Sequence, residues 1–446
     1  MNRVKVFSLQ ERKGDKSPWR VKWTVEGHSK TRVHRTKASA ELYRAKLIAA
    51  ASAQEPFSPS TGEPLSWTRV EHTYASVARE YASRKWAHWS ASSRRSYVDA
   101  AAVTVALIVH SGTRKKPPRR TLSTALRNHY LPPAQARIGQ PTEAEAEALA
   151  WLERASRRIQ DVSVDVADAA MTKASRKLNG DPAKRTTINR RRAVMHSIFE
   201  HAKRQKYIQS NPLDESDWKS KSAIATVDKR AVLSPSQCRQ AQAHLRALGP
   251  TGEVIATFAG VLWLAGLRPS EATGLRVSDL DLPASGWGLI QLSRALVETG
   301  ARWTDSGTRN ESRGLKWRDE GTIREVPIPP ELVKQLRQHI AKRNLTGDAL
   351  LFYGPTGTPL SLSTMDDYWR RARAALFAPS DPLRQSTLAH LRHTNASILL
   401  EAGLSVAETA QRLGHSPDVC LRIYAGYMKG LETKANTKID DFLDNR

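Results

Sequence analysis

The sequence predicts a multidomain α+β protein, in which a small β-sheet-plus-helix domain precedes a helical domain and a mixed α/β domain. Three observations support this prediction. The chain has 446 residues, which is too long for one typical domain and enough for two or three separate cores. Its N-terminal segment alternates in short β-like runs, and its middle follows a helical period. In the last part, β-like runs return among further helices.

The N-terminal domain is predicted over residues 1–58, with a linker over 59–66. The β-like runs are Val4–Leu9, Trp19–Val25 and Lys30–Arg35, separated by turn signals at Gly14-Asp15 and Gly27-His28. They favour a three-stranded sheet. An Ala-rich helix over 36–53 follows, with Thr36 as its cap and with Leu42, Leu47 and Ile48 on one side. Residues 56–64 are rich in Pro, Ser and Gly, which is typical of a linker.

The middle domain, residues 67–228, is predicted to be helical. Its best-defined helix is Thr187–Tyr207, whose N-terminal turns carry Arg190, Arg191 and Arg192. These arginines fit either a phosphate-facing surface or an ordinary solvated helix face. Residues 110–147 contain a basic stretch, two Pro-Pro pairs and an Ala/Glu tract. This composition indicates an insertion, with the flexibility of a long loop, in an otherwise compact domain.

The last domain, residues 229–446, is predicted to mix helices and strands. A helix starts at Leu233-Ser234-Pro235, and a strongly apolar helix over Val254–Leu267 must be buried. Further β-like runs occupy Gly288–Leu292, Gly314–Trp317 and Thr322–Ile328, and helices follow from Pro330 onward. One of these helices, Val406–Leu413, is ended by Gly414, since glycine lets the chain turn sharply.

The charge of the chain indicates a polyanionic partner. The formal net charge is +26 and the pI is about 10.3, and residues 66–229 alone contribute +14. A membrane surface would satisfy the same charge, but the sequence has neither a spanning apolar run nor a signal-peptide pattern. Two cysteines outside any motif, Cys238 and Cys420, favour a reducing, cytoplasmic setting without structural zinc. Nucleic acid is therefore the expected partner.

Three segments of the last domain place cationic, imidazole and hydroxyl groups in a fixed order. The first is Leu264–Leu275 with Arg268 and Glu271, the second is Leu391-Arg392-His393-Thr394, and the third is Leu413-Gly414-His415-Ser416, with Tyr424 nine residues after His415. An arginine in the first place alone would be an ordinary helix cap. Together, the order and spacing resemble the tyrosine recombinase family, the phage integrases and their relatives, over about residues 230–446. Residues 1–58 and 67–228 more loosely resemble the arm-binding and core-binding domains of that family.

The chemistry of phosphodiester exchange fits these residue types. Arg268 and Arg392 suit the negative oxygens of a phosphate, because a planar guanidinium holds two oxygens at once. The imidazole of His415 could donate to the same phosphate. The resemblance implies that Tyr424 attacks phosphorus and forms a 3′-phosphotyrosyl intermediate, so that neither ATP nor a metal is needed. The alternatives are that Tyr424 packs in a core beside Ile423, or that Tyr427 replaces it at a less suitable spacing.

The resemblance also implies a proton donor, an acidic residue and a histidine. Lys316, which precedes the run Arg324–Ile328, is the candidate donor for the leaving oxygen, although an ordinary surface lysine fits the same position. Glu271 matches a supporting acidic position. The family usually has a histidine three residues before its second arginine, but Ala389 stands there and His390 follows. Adjacent helix positions point about 100° apart, so His390 is a poor substitute, and His393 is expected to be structural.

The predicted function is that of a site-specific DNA recombinase of a phage or mobile element. Its predicted partners are double-stranded DNA at core-type and arm-type sites, three further copies of the chain in a homotetramer, and a host DNA-bending or excision factor. The predicted location is the cytoplasm of a bacterial cell, at the nucleoid. The tail 428–443 could form a helix that docks on a neighbouring subunit or folds back. A catalytically impaired DNA-binding regulator and a type IB topoisomerase are the alternatives.

Overall fold

The computed structural model describes the chain except residues 1–3, 13, 16, 69–71, 178, 219–228, 316–320, 429–435, 437–439, 441–442 and 445–446. The chain divides into two compact units, Met1–Tyr74 and Ala75–Arg446. The described residues mix helices and strands, as the sequence predicts. Each of their helices is too short or too polar to span a bilayer. The boundary expected at residue 228 lies outside the described residues.

The first unit is a four-stranded antiparallel sheet packed on one helix. The strands are β1 (Val4–Val6), β2 (Gln10–Glu11), β3 (Trp19–Val25) and β4 (His28–His34), and the helices are α1 (Lys37–Ser52) and the short α2 (Leu65–Thr68). The central strand β3 pairs with the other three. Its alternate residues Val21, Trp23 and Val25 are buried with Leu47 of α1, as the two-residue period of a strand requires.

Three details of this unit differ from the sequence prediction. The sheet has a fourth strand, β2, which is too short to show any alternation. Thr36 caps α1 as expected, but Leu42 and Ile48 are exposed and Ala40 and Ala50 are buried with Leu47. The expected linker contacts the sheet, since the indole of Trp23 donates to the Gly62 carbonyl and Lys30 donates to the Ser60 carbonyl at 2.6 Å.

The second unit begins with helices that form a lobe of their own core. They are α3 (Tyr74–Lys85), α4 (Ala91–Val105), α5 (Arg119–Ala125), α6 (Glu143–Ala155), α7 (Val164–Ala174) and α8 (Arg185–Arg204). Residues 110–147, expected to be an insertion, pack through Leu122, Leu126 and Tyr130, which are buried. A capping box at Thr142 and Glu145 starts α6. This segment is therefore an integral part of the helical lobe.

The remaining elements form the mixed lobe. The helices are α9 (Pro235–Ala247), α10 (Pro250–Leu264), α11 (Pro269–Thr273), α12 (Pro330–Lys342), α13 (Leu362–Leu376), α14 (His390–Glu401), α15 (Val406–Leu413) and α16 (Pro417–Met428). The strands are β5 (Leu280–Asp281), β6 (Gly288–Leu292), β7 (Ala295–Glu298), β8 (Asn310–Arg313) and β9 (Arg324–Ile328). The apolar helix α10 is buried at the centre, as its composition predicts.

The strands of the mixed lobe form a three-stranded antiparallel sheet, β5-β6-β9, and a separate hairpin, β7-β8. The run predicted over Gly314–Trp317 is not a strand where the structure describes it: β8 ends at Arg313, and residues 316–317 lie outside the described part. The tail 428–443 is also mostly outside it. The β7-β8 hairpin faces the helical lobe, where the buried Arg94 of α4 forms an ion pair with Asp305 at 2.7 Å.

Candidate active site

The site is organised by the C-terminal end of α15. Gly414 adopts the left-handed conformation, with φ 64° and ψ 46°, and so ends the helix. The carbonyls of Leu413 and Gly414 are then left for partners outside the helix, at the negative end of its dipole. Arg324 donates to Leu413 O at 3.1 Å and Arg268 donates to Gly414 O at 3.1 Å. Arg392 also donates to Leu413 O.

The same three arginines share one buried carboxylate, that of Glu271, which is 2% exposed. Its Oε1 accepts from Arg268 Nη1 at 2.7 Å and its Oε2 accepts from Arg324 Nη2 at 2.9 Å, while Arg392 Nη1 lies 3.8 Å from Oε2. Burial raises the pKa of this carboxyl, but the three guanidinium charges outweigh it and keep the pKa below its usual value. With one anion for three cations, the cluster retains a net positive charge.

Each arginine reaches the cluster from a different element. Arg268 lies between α10 and α11, Arg324 is the first residue of β9, and Arg392 lies in the first turns of α14. Arg324 and Arg392 are 4% and 5% exposed, whereas the Arg268 side chain is 24% exposed. Burial, followed by the charge of Arg268, lowers the pKa of Arg392 to about 9. Arg268 is therefore the most accessible guanidinium of the three.

His415 extends the cluster as a neutral imidazole. Its Nε2 lies 2.7 Å from Arg392 Nη2. Burial and the charges of Arg392 and Arg268 lower its pKa to about 3. Since a guanidinium only donates, Nε2 accepts this hydrogen bond, and the proton of the neutral ring is on Nδ1. That buried Nδ1 has no hydrogen-bond partner among the described residues.

Tyr424 lies on α16 with a fully buried side chain. It packs in a cluster with Ala396, Leu400, Leu413 and Cys420. Its hydroxyl is 2.8 Å from His393 Nδ1 on α14, and it also interacts electrostatically with Arg392. The ring of Tyr424 is thus packed in a core, which was the alternative for this residue. Its hydroxyl nevertheless has polar neighbours, as expected of a nucleophile. The side chain of Tyr427, its competitor, lies outside the described part.

Other residues expected at the site are placed as follows. Lys316 lies outside the described residues. His390, next to Ala389, has Nδ1 2.8 Å from the Thr387 hydroxyl, and its ring stacks edge to face on that of His393, with centroids 5.7 Å apart. Among the three arginines of α8, Arg190 is exposed, Arg191 donates to the carbonyls of Ala174 and Arg176, and Arg192 donates to that of Leu213.

The contributions of Arg324 and His393 to the site were not predicted from the sequence. Arg324 shares a face of β9 with the buried Val326 and Ile328, and a buried arginine in an alternating strand needs a partner. That pattern could have identified it. His393 was expected to be structural, and its position directly after Arg392 was the available signal.

The mixed lobe thus carries a cationic cluster beside a neutral imidazole and a tyrosine. This arrangement can bind an anion next to a tyrosine hydroxyl. Residues 231–429 match the model of the phage integrase family.

Individual relatives are similar at low identity. The prophage phiRv2 integrase of Mycobacterium tuberculosis is 24% identical over 257 residues, which are 57% of this chain and 62% of that protein. The chain thus spans less than two thirds of that relative. A tyrosine recombinase XerC of Herpetosiphon aurantiacus is 27% identical over 247 residues, 54% of this chain and 68% of that protein.

Two solved structures share the fold. A lambda integrase dimer bound to a COC′ core site has a TM-score of 0.50 at 12% identity, covering 94% of both chains. XerH recombinase bound to a palindromic difH substrate has a TM-score of 0.50 at 13% identity, covering 82% of this chain and 97% of that one. These similarities concern the fold alone.

Proposed function

We propose that the chain is a site-specific DNA recombinase that cleaves and rejoins DNA through a 3′-phosphotyrosyl bond on Tyr424. One observation carries this proposal: three arginines converge on a single carboxylate, beside a neutral histidine and a tyrosine hydroxyl. A phosphodiester supplies the negative charge that this cluster lacks. Its charge grows in the five-coordinate transition state, where fixed cationic donors stabilise it most.

The proposed roles follow from the contacts of each side chain. Arg268, the most exposed guanidinium, and Arg392 bind the non-bridging oxygens of the phosphate, and Glu271 holds both in position. His415 donates to the same phosphate, since a phosphate oxygen would satisfy its Nδ1–H. Lys316, by its resemblance to the family's lysine, protonates the departing 5′-oxygen. Cleavage and rejoining conserve the bond energy in the covalent intermediate, so the reaction needs neither ATP nor a metal.

Basic side chains elsewhere support DNA as the substrate. A cleft of about 460 Å³ between the helical lobe and the β7-β8 hairpin is lined by Arg95, Arg127, Arg190 and Arg191. Such a surface suits a phosphate backbone, which is bound mainly through its charge. We assign core-type DNA binding to residues 67–228, arm-type DNA binding to 1–58 and catalysis to 229–446. Arg190 contacts phosphate, while Arg191 and Arg192 shape the surface beside it.

The relatives suggest the setting of the reaction. Integrases and Xer recombinases are among the proteins to which the chain is similar. We therefore propose that the chain integrates or excises a phage or mobile element in the cytoplasm of a bacterial cell, at the nucleoid. It acts as a homotetramer on two duplexes, with a host DNA-bending or excision factor.

The test starts from a core duplex selected from random-sequence DNA by the Tyr424→Phe protein, which binds but lacks the nucleophile. A nick near the cleavage point lets the cut fragment diffuse away, so that the intermediate accumulates. Wild type should form a denaturation-resistant protein–DNA adduct without added metal or ATP, and Tyr424→Phe should form none. Failure of wild type to form the adduct, or an adduct that persists in Tyr424→Phe, would overturn the proposal.

A regulator of the same fold is the second candidate, because Ala389 replaces the histidine expected before Arg392. Loss of a general acid or base slows catalysis by about 10² to 10⁴. The same experiment separates the two functions. A regulator would select a core duplex but form no adduct on it, whereas a slow recombinase would form the adduct at a reduced rate.

A further inference from the structure

The proton of Tyr424 needs an acceptor when the phenol attacks phosphorus, and the residue expected from the sequence for proton handling is absent at Ala389. The structure places another imidazole at the hydroxyl itself. His393 Nδ1 lies 2.8 Å from Tyr424 Oη, and the two rings meet edge to face with centroids 5.7 Å apart. This distance is that of an O–H···N hydrogen bond, within which a proton can transfer directly.

The form of His393 suits an acceptor. Burial, with His390 and Arg392 nearby, lowers the pKa of His393 to about 4. The ring is therefore neutral near pH 7, and its Nδ1 accepts while the phenol donates. A bound phosphate would offset the charge of Arg392, so that protonation of His393 becomes easier when the substrate is in place.

The position of His393 on α14 links it to the phosphate site. Arg392 and His393 are adjacent in the sequence, and adjacent helical side chains point about 100° apart. Accordingly, Arg392 faces Glu271 and Leu413, whereas His393 faces Tyr424 of α16. One helix thus fixes the phosphate donor and the proton acceptor relative to each other.

We propose that His393 Nδ1 accepts the phenolic proton as Tyr424 attacks the phosphodiester, and returns it when the strand is rejoined. This inference rests on the proposed function. The Tyr424 oxygen forms a bond to phosphorus, and the bond to the 5′-oxygen breaks with its electron pair on that oxygen. The 5′-oxygen takes a proton from the donor assigned above. On rejoining, the 5′-hydroxyl attacks phosphorus and returns its proton to that donor, while the phenol oxygen leaves and recovers its proton from His393.

The test measures adduct formation on the nicked core duplex by His393→Phe, which keeps a planar ring of similar size but has no acceptor. The adduct rate should fall by about 10² to 10⁴, while affinity for the duplex and the melting temperature change little. The decisive readout places a fluorinated tyrosine, whose phenol is more acidic, at position 424. Because an acidic phenol needs less help from a base, it should restore much of the rate in His393→Phe and raise the wild-type rate only slightly.

Cys420→Ala is the matched control, since Cys420 packs in the same cluster as Tyr424 but contributes no acceptor. There the fluorinated tyrosine should have the same small effect as in wild type. An equal response to fluorination in wild type and His393→Phe, or a wild-type rate in His393→Phe, would reduce His393 to a packing residue and overturn the inference. His393→Gln gives a second measure if His393→Phe is poorly folded. Failure of wild type itself to form an adduct would overturn the proposed function and this inference together.

Discussion

Glu271 is a buried carboxylate on which three arginines depend. Its removal leaves Arg268, Arg324 and Arg392 close together without the charge that compensates them. We expect Glu271→Gln to lower the free energy of unfolding by roughly 3–5 kcal/mol, the range found when one member of a buried ion pair is removed. Denaturant unfolding of the purified variant measures this change.

Glu331→Gln is the control for this prediction. Glu331 forms a bidentate ion pair with Arg239, but the pair lies largely in solvent. Exposed pairs contribute about 0–1 kcal/mol because water screens them. Equal losses of unfolding free energy in the two variants would show that burial does not make the Glu271 carboxylate more important for stability.

His393 also predicts a dependence of stability on pH. Its pKa in the folded chain is about 4, against 6.5 in an unfolded one, so unfolding takes up a proton between these values. Stability is thus lost as the pH falls from 6.5 towards 4. His393→Gln should reduce the slope of unfolding free energy against pH by up to about 1.4 kcal/mol per pH unit. Urea unfolding between about pH 5 and pH 7 measures the slope. An unchanged slope in His393→Gln would contradict the prediction.

At the scale of residues, the sequence predicted which side chains lie together better than the contacts between them. Arg268, Glu271, Arg392 and His415 are brought together as their spacing indicated. The roles of Arg324 and His393 depend on which side chains face each other across β9, α14 and α16. Those relations are tertiary, and no local pattern in a single sequence encodes them.

At the scale of elements, the end of α15 sets the geometry of the arginine cluster. A Cβ at position 414 would collide with the guanidinium of Arg324, in addition to the cost of a left-handed conformation. Gly414→Ala should therefore lower the free energy of unfolding by about 1–3 kcal/mol more than the replacement of a left-handed glycine at which a Cβ meets no other atom. It should also slow adduct formation, because Arg324 and the Leu413 carbonyl move apart.

Gly307→Ala provides the comparison. Gly307 has φ 66°, almost the same as the 64° of Gly414, but a Cβ there meets nothing within 4 Å. Its replacement by alanine should lower the free energy of unfolding by about 1–2 kcal/mol. Thermal or denaturant unfolding of both variants isolates the effect of the collision, and similar losses would mean that Arg324 relaxes without cost.

Long elements were predictable and short ones were not. The apolar α10 and the capped α15 follow from composition and end signals. In contrast, β2 has two residues and β7 and β8 have four each, too few for a period to emerge. The wrong face of α1 has a related cause, because alanines and not leucines fill most of its contact with the sheet.

At the scale of the whole molecule, the net charge of +26 predicts DNA binding that weakens steeply with salt. The arginines of α8 separate binding from stability. Arg190→Ala should weaken binding to DNA of any sequence and reduce the slope of log K against log salt by about 1. Its free energy of unfolding should stay within about 0.5 kcal/mol of wild type. Arg191→Ala should instead cost about 1–3 kcal/mol of stability, since the carbonyls of Ala174 and Arg176 lose their donor.

Fluorescence anisotropy of a labelled core duplex over a range of salt concentrations, together with denaturant unfolding, tests both variants. Identical behaviour of the two would contradict the assignment of different roles. The charge that predicts the partner is a property of composition. The different contacts of Arg190 and Arg191 follow only from the packing of helix α8 against the end of α7.

The arginine cluster joins positions 268, 271, 324, 392 and 413–414, which are far apart along the chain and meet only after the mixed lobe has folded. An incompletely folded copy has no assembled arginine cluster, although it keeps its general positive charge. Opening of α14–α16 would displace Tyr424 and His393, the proposed nucleophile and proton acceptor, together. Under the proposed function, such a copy would bind a chromosome through its charge without making covalent breaks in it.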